Sequence, residues 1–230
     1  MLTLVLTRHG VTARSVPEQH LGQKMDVPLS STGLRQAHAL ARRLHDVGFD
    51  RIVSSPLVRA RETAEIVAIG RPVIGDARLM EMDYGEWEGH TYPEVRALHP
   101  GFRGKWESDP ATLRCPGGES GNDVARRVGA FLRDVLDPGS RLGRPPEVGT
   151  TAGGEEDGRR ILVVAHSTVG RILCCTALGI PIRDFRRRFA IEPTSITVLR
   201  WRDGADPDDG ELILLNDVTH LRHRGEIPWG

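Results

Sequence analysis

The sequence is poor in cysteine, has no excess of either charge and contains no long apolar run. Its three cysteines, Cys115, Cys174 and Cys175, are odd in number and two are adjacent, so no disulfide framework is predicted. A reducing, cytoplasmic location is therefore expected. Lysine plus arginine and aspartate plus glutamate each number 31, which gives a formal net charge of zero. The basic surplus typical of nucleic-acid binding is absent, so no nucleic-acid partner is expected.

The chain also lacks the features of a membrane or exported protein. No run approaches the ~18 apolar residues of a membrane span, and no basic leader precedes a long apolar segment, so neither a membrane partner nor a signal peptide is expected. Segment 138–158 holds six glycines and three prolines, and a strand pattern resumes directly after it. We therefore expect a single domain over 1–230 with a mobile surface loop at about 138–158.

The alternation of strand-like and helix-like segments predicts the fold class. Apolar runs with β-favouring residues predict strands at 2–6, 50–54, 72–74, 161–165, 195–201 and 211–215. Helical spacing predicts helices at 34–47, 55–68, 120–136 and 168–178, the first capped by Ser31 or Thr32 and ended by Gly48. This order predicts an α/β three-layer sandwich with a mainly parallel central sheet and helices on both faces. Segment 81–118 has little regular pattern and is predicted to be an excursion that covers the active site.

Two of the predicted strands are followed by a histidine. The run LTLVLT is followed by Arg8 and His9, and the run ILVVA by His166. Ligands of open α/β sheets bind beyond the carboxyl ends of the strands, so both histidines are expected to face one crevice if their strands are parallel neighbours. Arg59, about one turn into the helix after the second strand, is within reach of that crevice. Two guanidinium groups and two imidazoles suit a phosphate ligand.

A metal site is the main alternative for these histidines, because two histidines and a carboxylate can hold zinc. The positive charge of Arg8 next to His9 opposes a bound cation, so no metal is expected. The remaining histidines lack a comparable context and are predicted to lie on the surface or to serve in packing. They are His20, His38, His45, His90, His99, His220 and His223.

Six segments carry a resemblance to a known family. They are TRHGVT at 7–12, DVPLSSTGLRQA at 26–37, SSPLVRARETA at 54–64, LMEMDYGEWEG at 79–89, PGGES at 116–120 and VVAHS at 163–167. In this order they resemble the histidine phosphatase superfamily, in its phosphoglycerate-mutase-like branch. A lone Arg-His-Gly is a weak signal, whereas the whole series is specific and covers most of the chain.

The resemblance implies a role for each candidate residue. His9 would be the nucleophile that takes the phosphoryl group. Arg8, Arg59 and His166 would hold the phosphate and stabilise it during the transfer. No metal ion or organic cofactor is implied, and the partner would be a small phosphate ester.

The same resemblance selects Glu81 as the acid that protonates the leaving oxygen and then as the base that activates water. Position alone does not choose between Glu81 and three nearby carboxylates, which belong to Asp83, Glu86 and Glu88. The family pattern makes that choice.

Two positions depart from the pattern of the family. Ser15 stands where many members have asparagine, and Ser167 follows the second histidine where glycine is frequent; both are kept as candidate phosphate ligands. Phosphoglycerate mutases typically show Arg-His-Gly-x-Ser-x-Trp-Asn, and this chain has neither that tryptophan nor that asparagine.

These departures favour one of three functions. The favoured function is a metal-independent phosphomonoester phosphatase that acts on a small metabolite through a phosphohistidine intermediate. A phosphoglycerate mutase and a non-catalytic phosphate-binding module are the alternatives. The sequence is compatible with a homodimer.

Overall fold

The computed structural model describes residues 1–15, 17–144 and 158–221. The described residues form one six-stranded sheet in the order β3-β2-β4-β1-β5-β6. Its strands are β1 (Leu2–Arg8), β2 (Arg51–Ser54), β3 (Val73–Gly75), β4 (Arg159–Ala165), β5 (Ile196–Trp201) and β6 (Glu211–Asp217). Strands β3, β2, β4 and β1 pair in parallel, whereas β5 and β6 are antiparallel to their neighbours. The prediction of a mainly parallel sheet is therefore confirmed, with an antiparallel pair at one edge.

Helices cover both faces of this sheet. They are α1 (Ser31–Arg43), α2 (Val58–Ala68), α3 (Tyr92–Leu98), α4 (Phe102–Ser108), α5 (Gly121–Leu136), α6 (Ser167–Ala177) and α7 (Phe185–Arg188). Leu40 of α1 and Ala64 of α2 pack on the face that carries Leu162. Phe131 of α5 and Leu173 of α6 belong to the core on the opposite face, and this alternation along the strands produces the predicted three layers.

Helix α1 differs from its predicted bounds at both ends. Ser30, rather than Ser31 or Thr32, is the N-cap, because its backbone is extended and its hydroxyl accepts a hydrogen bond from Gly33 N at 3.1 Å. The helix ends at Arg43, before Gly48, because Leu44 leaves the helical conformation.

Segment 81–118 is more regular than predicted. It contains α3, α4 and a 3-10 turn at Gly85–Trp87. Helices α3 and α4 have seven residues each, too few for apolar periodicity to appear in the sequence. Their tertiary contacts hold them instead, and the Trp87 and Trp106 rings meet edge to face with centroids 5.2 Å apart.

Residues 138–144 of the predicted 138–158 loop form turns, and 145–157 lie outside the described residues. The extent and mobility of that loop, and the single domain over 1–230, stay predictions. Within the described ranges, no helix combines the length and the apolar character needed to cross a membrane.

Candidate active site

The two histidines follow the carboxyl ends of adjacent parallel strands. Arg8 is paired in register with Ala165, and His9 N donates a hydrogen bond to Ala165 O at 3.0 Å. The His9 and His166 rings consequently meet edge to face with centroids 5.1 Å apart. The backbone after His9 is held in turn by α2, since Gly10 N donates to the Thr63 hydroxyl at 3.2 Å.

The His9 ring is held in one tautomer. Its Nδ1 lies 2.7 Å from Gly10 O, a carbonyl that can only accept, so Nδ1 carries the hydrogen and Nε2 keeps its lone pair. The ring borders the cleft described below. Burial lowers the pKa of His9 well below its usual value, and the charges of Arg59 and Arg8 lower it further. His9 is therefore a neutral imidazole with a free nitrogen at neutral pH.

Arg8 lies beside this ring and is held by the chain after α7. Its Nη1 donates to Ile191 O at 3.0 Å, while its buried Nε has no hydrogen-bond partner in the described part of the chain. Burial lowers the pKa of Arg8 from its usual value, and the Glu81 carboxylate acts in the opposite direction. The guanidinium is thus fixed at one end and has an unused donor.

Arg59 is fully buried on α2 and does not itself line the cleft. Its guanidinium donates to three backbone carbonyls, those of Leu21 at 3.3 Å, Gly22 at 2.9 Å and Met25 at 3.3 Å. The Arg59 Nε is buried without a partner among the described residues. Arg59 therefore supplies positive charge near His9 and also holds the loop that contains these three carbonyls.

His166 is fully buried at the N-cap position of α6, behind the His9 ring. Its Nε2 lies 2.8 Å from the Ser55 hydroxyl, which accepts a hydrogen bond from Leu57 N. The Ser55 hydroxyl is thus suited to donate to Nε2, which leaves the hydrogen of the neutral ring on Nδ1. That Nδ1 is buried and has no partner in the described ranges. Burial lowers the pKa of His166 well below its usual value, and Arg59 adds to the effect.

The Glu81 carboxylate is bound to the N-terminus of α6. Its Oε2 accepts from Thr168 N at 3.1 Å, and its Oε1 accepts from Val169 N at 3.3 Å and from Met82 N at 2.8 Å. Glu81 also lines the cleft, and its side chain is buried. The helix thus orients this carboxylate, whereas Asp83, Glu86 and Glu88 do not line the cleft.

The cleft in front of these groups has a volume of about 520 Å³. Of the residues expected at the site, Arg8, His9, Ser15, Glu81 and Ser167 line it, whereas Arg59 and His166 are not among the lining residues. The hydroxyl of Ser15 accepts from Thr12 N at 3.0 Å, which turns it toward its own loop. Ser167 is the first residue of α6 and contributes to the wall between His9 and Glu81.

Several cleft residues were not predicted from the sequence. Arg171 lies one turn after Ser167 on α6, a spacing that would have placed it on the same side of the helix. Arg186 comes from the four-residue helix α7, which has no sequence signal. His20 fits the prediction of a packing residue, since its ring meets Tyr84 and Tyr92 edge to face, but it also borders the cleft.

The cysteines and metal-ligand types do not form a second centre in the described ranges. All three cysteines are buried, and burial raises the pKa of each thiol to about 12. No group of three or more His, Cys, Asp or Glu side chains with the geometry to hold a metal ion is found there.

Comparisons with known proteins identify the family of this chain. A family model described as histidine phosphatase superfamily (branch 1) matches residues 4–208. The chain therefore belongs to the histidine phosphatase superfamily, and it is an enzyme of the phosphatase type that acts on phosphate esters.

Individual relatives include proteins named as mutases and as phosphatases. The chain is 31% identical over 224 residues to "Probable phosphoglycerate mutase GpmB" from Klebsiella pneumoniae, which covers 96% of this chain and 95% of that protein. Bacillus stearothermophilus YhfR is similar in structure, with a TM-score of 0.81, 29% identity and coverage of 96% of this chain and 100% of that chain. A mycobacterial glucosyl-3-phosphoglycerate phosphatase has a TM-score of 0.79, 32% identity and coverage of 93% and 98%. The names of these relatives differ in substrate and in reaction.

Proposed function

We propose that the protein is a phosphomonoester phosphatase that hydrolyses a small phosphorylated metabolite through a phosphohistidine intermediate, without a metal ion. One observation carries the proposal. Three buried nitrogens around the His9 ring, Arg8 Nε, Arg59 Nε and His166 Nδ1, have no hydrogen-bond partner among the described residues. Buried polar groups are normally satisfied, and a phosphate between them would accept from all three.

In the first step the lone pair of His9 Nε2 attacks phosphorus and a phosphorus–nitrogen bond forms. The bond between phosphorus and the ester oxygen breaks, and that oxygen keeps the electron pair of the bond. It also accepts a proton from Glu81. Arg8 and Arg59 stabilise the charge on the three transferring oxygens, and His166 donates from Nδ1. The hydrogen on His9 Nδ1 stays there throughout and is donated to Gly10 O.

In the second step water attacks the phosphorus of the phosphohistidine. Glu81, now ionised, takes a proton from that water, the phosphorus–nitrogen bond breaks, and the electron pair returns to His9 Nε2. Inorganic phosphate leaves and the enzyme regains its starting protonation state. The amide donors of Thr168 and Val169 hold the Glu81 carboxylate in place for both transfers.

The relative named as a phosphoglycerate mutase supports a second candidate function. A mutase must keep its phosphohistidine away from water and return the group to a bound product. This chain has Arg14 and Ser15 where the mutase pattern has tryptophan and asparagine, which favours hydrolysis. A non-catalytic phosphate-binding module is disfavoured because His9, Glu81 and His166 are all retained.

Turnover of p-nitrophenyl phosphate without added metal tests the proposal. We expect His9→Ala to lose more than about a thousandfold in kcat, because the nucleophile is removed. His38→Ala, at an exposed position on α1, is the matched control and should keep full activity. Activity should also survive a chelator. Retention of activity by His9→Ala would exclude His9 as the nucleophile, and loss in the chelator would exclude a metal-free mechanism.

A separate assay distinguishes the mutase. 3-Phosphoglycerate is incubated with the enzyme, with and without 2,3-bisphosphoglycerate, and both inorganic phosphate and 2-phosphoglycerate are measured. Release of phosphate is expected. Formation of 2-phosphoglycerate that exceeds phosphate release and is stimulated by the bisphosphate would establish the mutase instead.

A further inference from the structure

Three arginines of the cleft have no part in the mechanism above, and one of them, Arg14, already donates to Gln19 Oε1. Arg171 on α6 and Arg186 on α7 both line the cleft. No hydrogen bond and no ion pair within 4.0 Å joins either guanidinium to another described residue, and Arg171 Nε is buried without a partner. A partly desolvated cation without a counter-charge is costly unless a ligand completes it.

Packing fixes the Arg186 side chain at the cleft wall. The guanidinium carbon of Arg186 lies 5.2 Å from the centre of the Trp106 ring, which is itself fully buried. Tyr92 lines the same cleft, and burial raises its pKa; Glu18 adds to that rise, whereas Arg186 and Arg171 act against it. Arg171 and Arg186 thus both act on one residue of the cleft that they line.

The acidic residues of the cleft do not neutralise this pair. Glu18 and Glu192 line the same cleft, but neither carboxylate comes within 4.0 Å of Arg171 or Arg186. Both carboxylates raise the pKa of Arg8 against the larger effect of burial, and Glu18 also raises the pKa of Tyr92. The reacting phosphate has its own donors in Arg8, Arg59 and His166. Arg171 and Arg186 are therefore available for a different group of the substrate.

We propose that Arg171 and Arg186 form a second anion subsite, so that the preferred substrate is a phosphomonoester whose alcohol part carries a carboxylate or a second phosphate. Guanidinium groups match the oxygens of either anion through paired, charge-assisted hydrogen bonds. The inference rests on the proposed phosphatase activity and adds to it the class of the substrate.

Matched substrate pairs test the subsite. Glycerol 3-phosphate and 3-phosphoglycerate differ by a carboxylate, and fructose 6-phosphate and fructose 1,6-bisphosphate differ by a second phosphate. In one pair, kcat/KM for phosphate release should be at least about tenfold higher for the substrate with the additional anionic group. The pair that shows this difference identifies the anion as a carboxylate or a phosphate. Equal values within both pairs would overturn the proposal.

Substitutions at the subsite should lower kcat/KM mainly for the substrate that carries the additional anionic group. Arg171→Gln and Arg186→Gln are expected to lower kcat/KM about tenfold for the substrate with the additional anionic group. For its matched partner, which lacks that group, the loss should be much smaller. Arg187→Gln removes the same charge from an exposed position beside Arg186 and should change neither value. Equal losses on both members would show that these arginines serve the reacting phosphate or the fold. Circular dichroism checks that each glutamine variant folds. If one does not, the lysine variant at the same position, Arg171→Lys or Arg186→Lys, which keeps the charge, replaces it in these assays.

Binding to a variant without the nucleophile separates this proposal from the proposed reaction. Calorimetry on His9→Ala should show tighter binding of 3-phosphoglycerate or of fructose 1,6-bisphosphate than of its matched partner, and Arg186→Gln in that background should abolish the difference. If no substrate releases phosphate, the phosphatase proposal fails, and the binding difference still decides on the subsite. If phosphate release depends on His9 but the binding difference is absent, only the subsite fails.

Discussion

Glu81 connects the start of a helix to the chemistry of the cleft. Its two oxygens accept three backbone hydrogen bonds, two of them from the first turn of α6. In the proposed mechanism the proton given to the leaving oxygen is therefore held on a carboxyl group whose orientation the helix already fixes.

Leaving groups of different basicity test the role of Glu81 as an acid. In Glu81→Gln the kcat/KM for glycerol 3-phosphate should fall by about a hundredfold or more, since an alkoxide is a poor leaving group without a proton. The kcat/KM for p-nitrophenyl phosphate should fall much less, since that phenolate leaves unaided. Glu86→Gln, at an exposed carboxylate of the same segment, is the control. An equal loss of kcat/KM on both substrates would contradict the role of Glu81 as an acid and would leave it only the role of binding the N-terminus of α6.

At the scale of elements, the 21–26 loop is held from two sides. Arg59 binds three of its carbonyls, and the Glu88 carboxylate accepts from Gln23 N at 2.9 Å, Lys24 N at 2.8 Å and Met25 N at 2.9 Å. Glycine is required at position 22, where the loop passes between Arg59 and Glu88, because a Cβ there would lie 2.0 Å from Glu88 Oε1. Glu88 is thus a positioning residue that acts on Arg59 through the loop.

Loosening this loop should disturb the site without removing a site residue. Glu88→Gln replaces one acceptor oxygen by an amide that faces backbone donors, so we expect a loss of about 1–3 kcal/mol in the free energy of unfolding. Faster hydrogen exchange of the amides of 23–25 and a lower kcat/KM should accompany it. Glu65→Gln, which breaks only an exposed pair with Arg61, is the control. Unchanged exchange in Glu88→Gln would contradict this role.

The sequence predicted those elements whose signal is local. Runs such as 161–165 are apolar because they are buried on both faces, and the polar residues that end them mark the site in the sequence. Helices α3, α4 and α7 are too short to show periodicity. The interactions of Arg186 and Glu88 arise between segments far apart in the chain. No spacing in the sequence records such contacts, so only the folded chain shows them.

At the scale of the whole molecule, three neutral histidines are buried at or beside the cleft. Burial lowers the pKa of His9 and His166 well below the usual value, and it lowers the pKa of His20 to about 4. In the unfolded chain each would take up a proton below about pH 6.5. Their contribution to stability is therefore complete above that pH and is lost as the pH falls toward the folded-state pKa.

Urea unfolding between pH 7 and pH 5 tests this linkage. One histidine that stays neutral in the folded state should cost about 2 kcal/mol of unfolding free energy over that interval. His20→Asn should therefore lose less stability between pH 7 and pH 5 than the unsubstituted protein does. His38→Asn removes an exposed histidine and should leave the pH dependence unchanged. The same dependence in His20→Asn as in the unsubstituted protein would show that His20 is protonated in the folded state.

The pairing of β1 with β4 has a consequence for the folding of the protein during its synthesis. It joins the first residues of the chain to Arg159–Ala165, and α1 to α5 all lie in the sequence between them. Contacts this distant in sequence have a large loop-closure cost and are slow to form. A ribosome-bound or truncated chain that ends before β4 contains His9, Arg59 and Glu81 but has no partner ring for His9 and no helix N-terminus for Glu81. In the proposed mechanism such a chain does not hydrolyse phosphate esters, so activity requires that the chain extend through β4 and into α6.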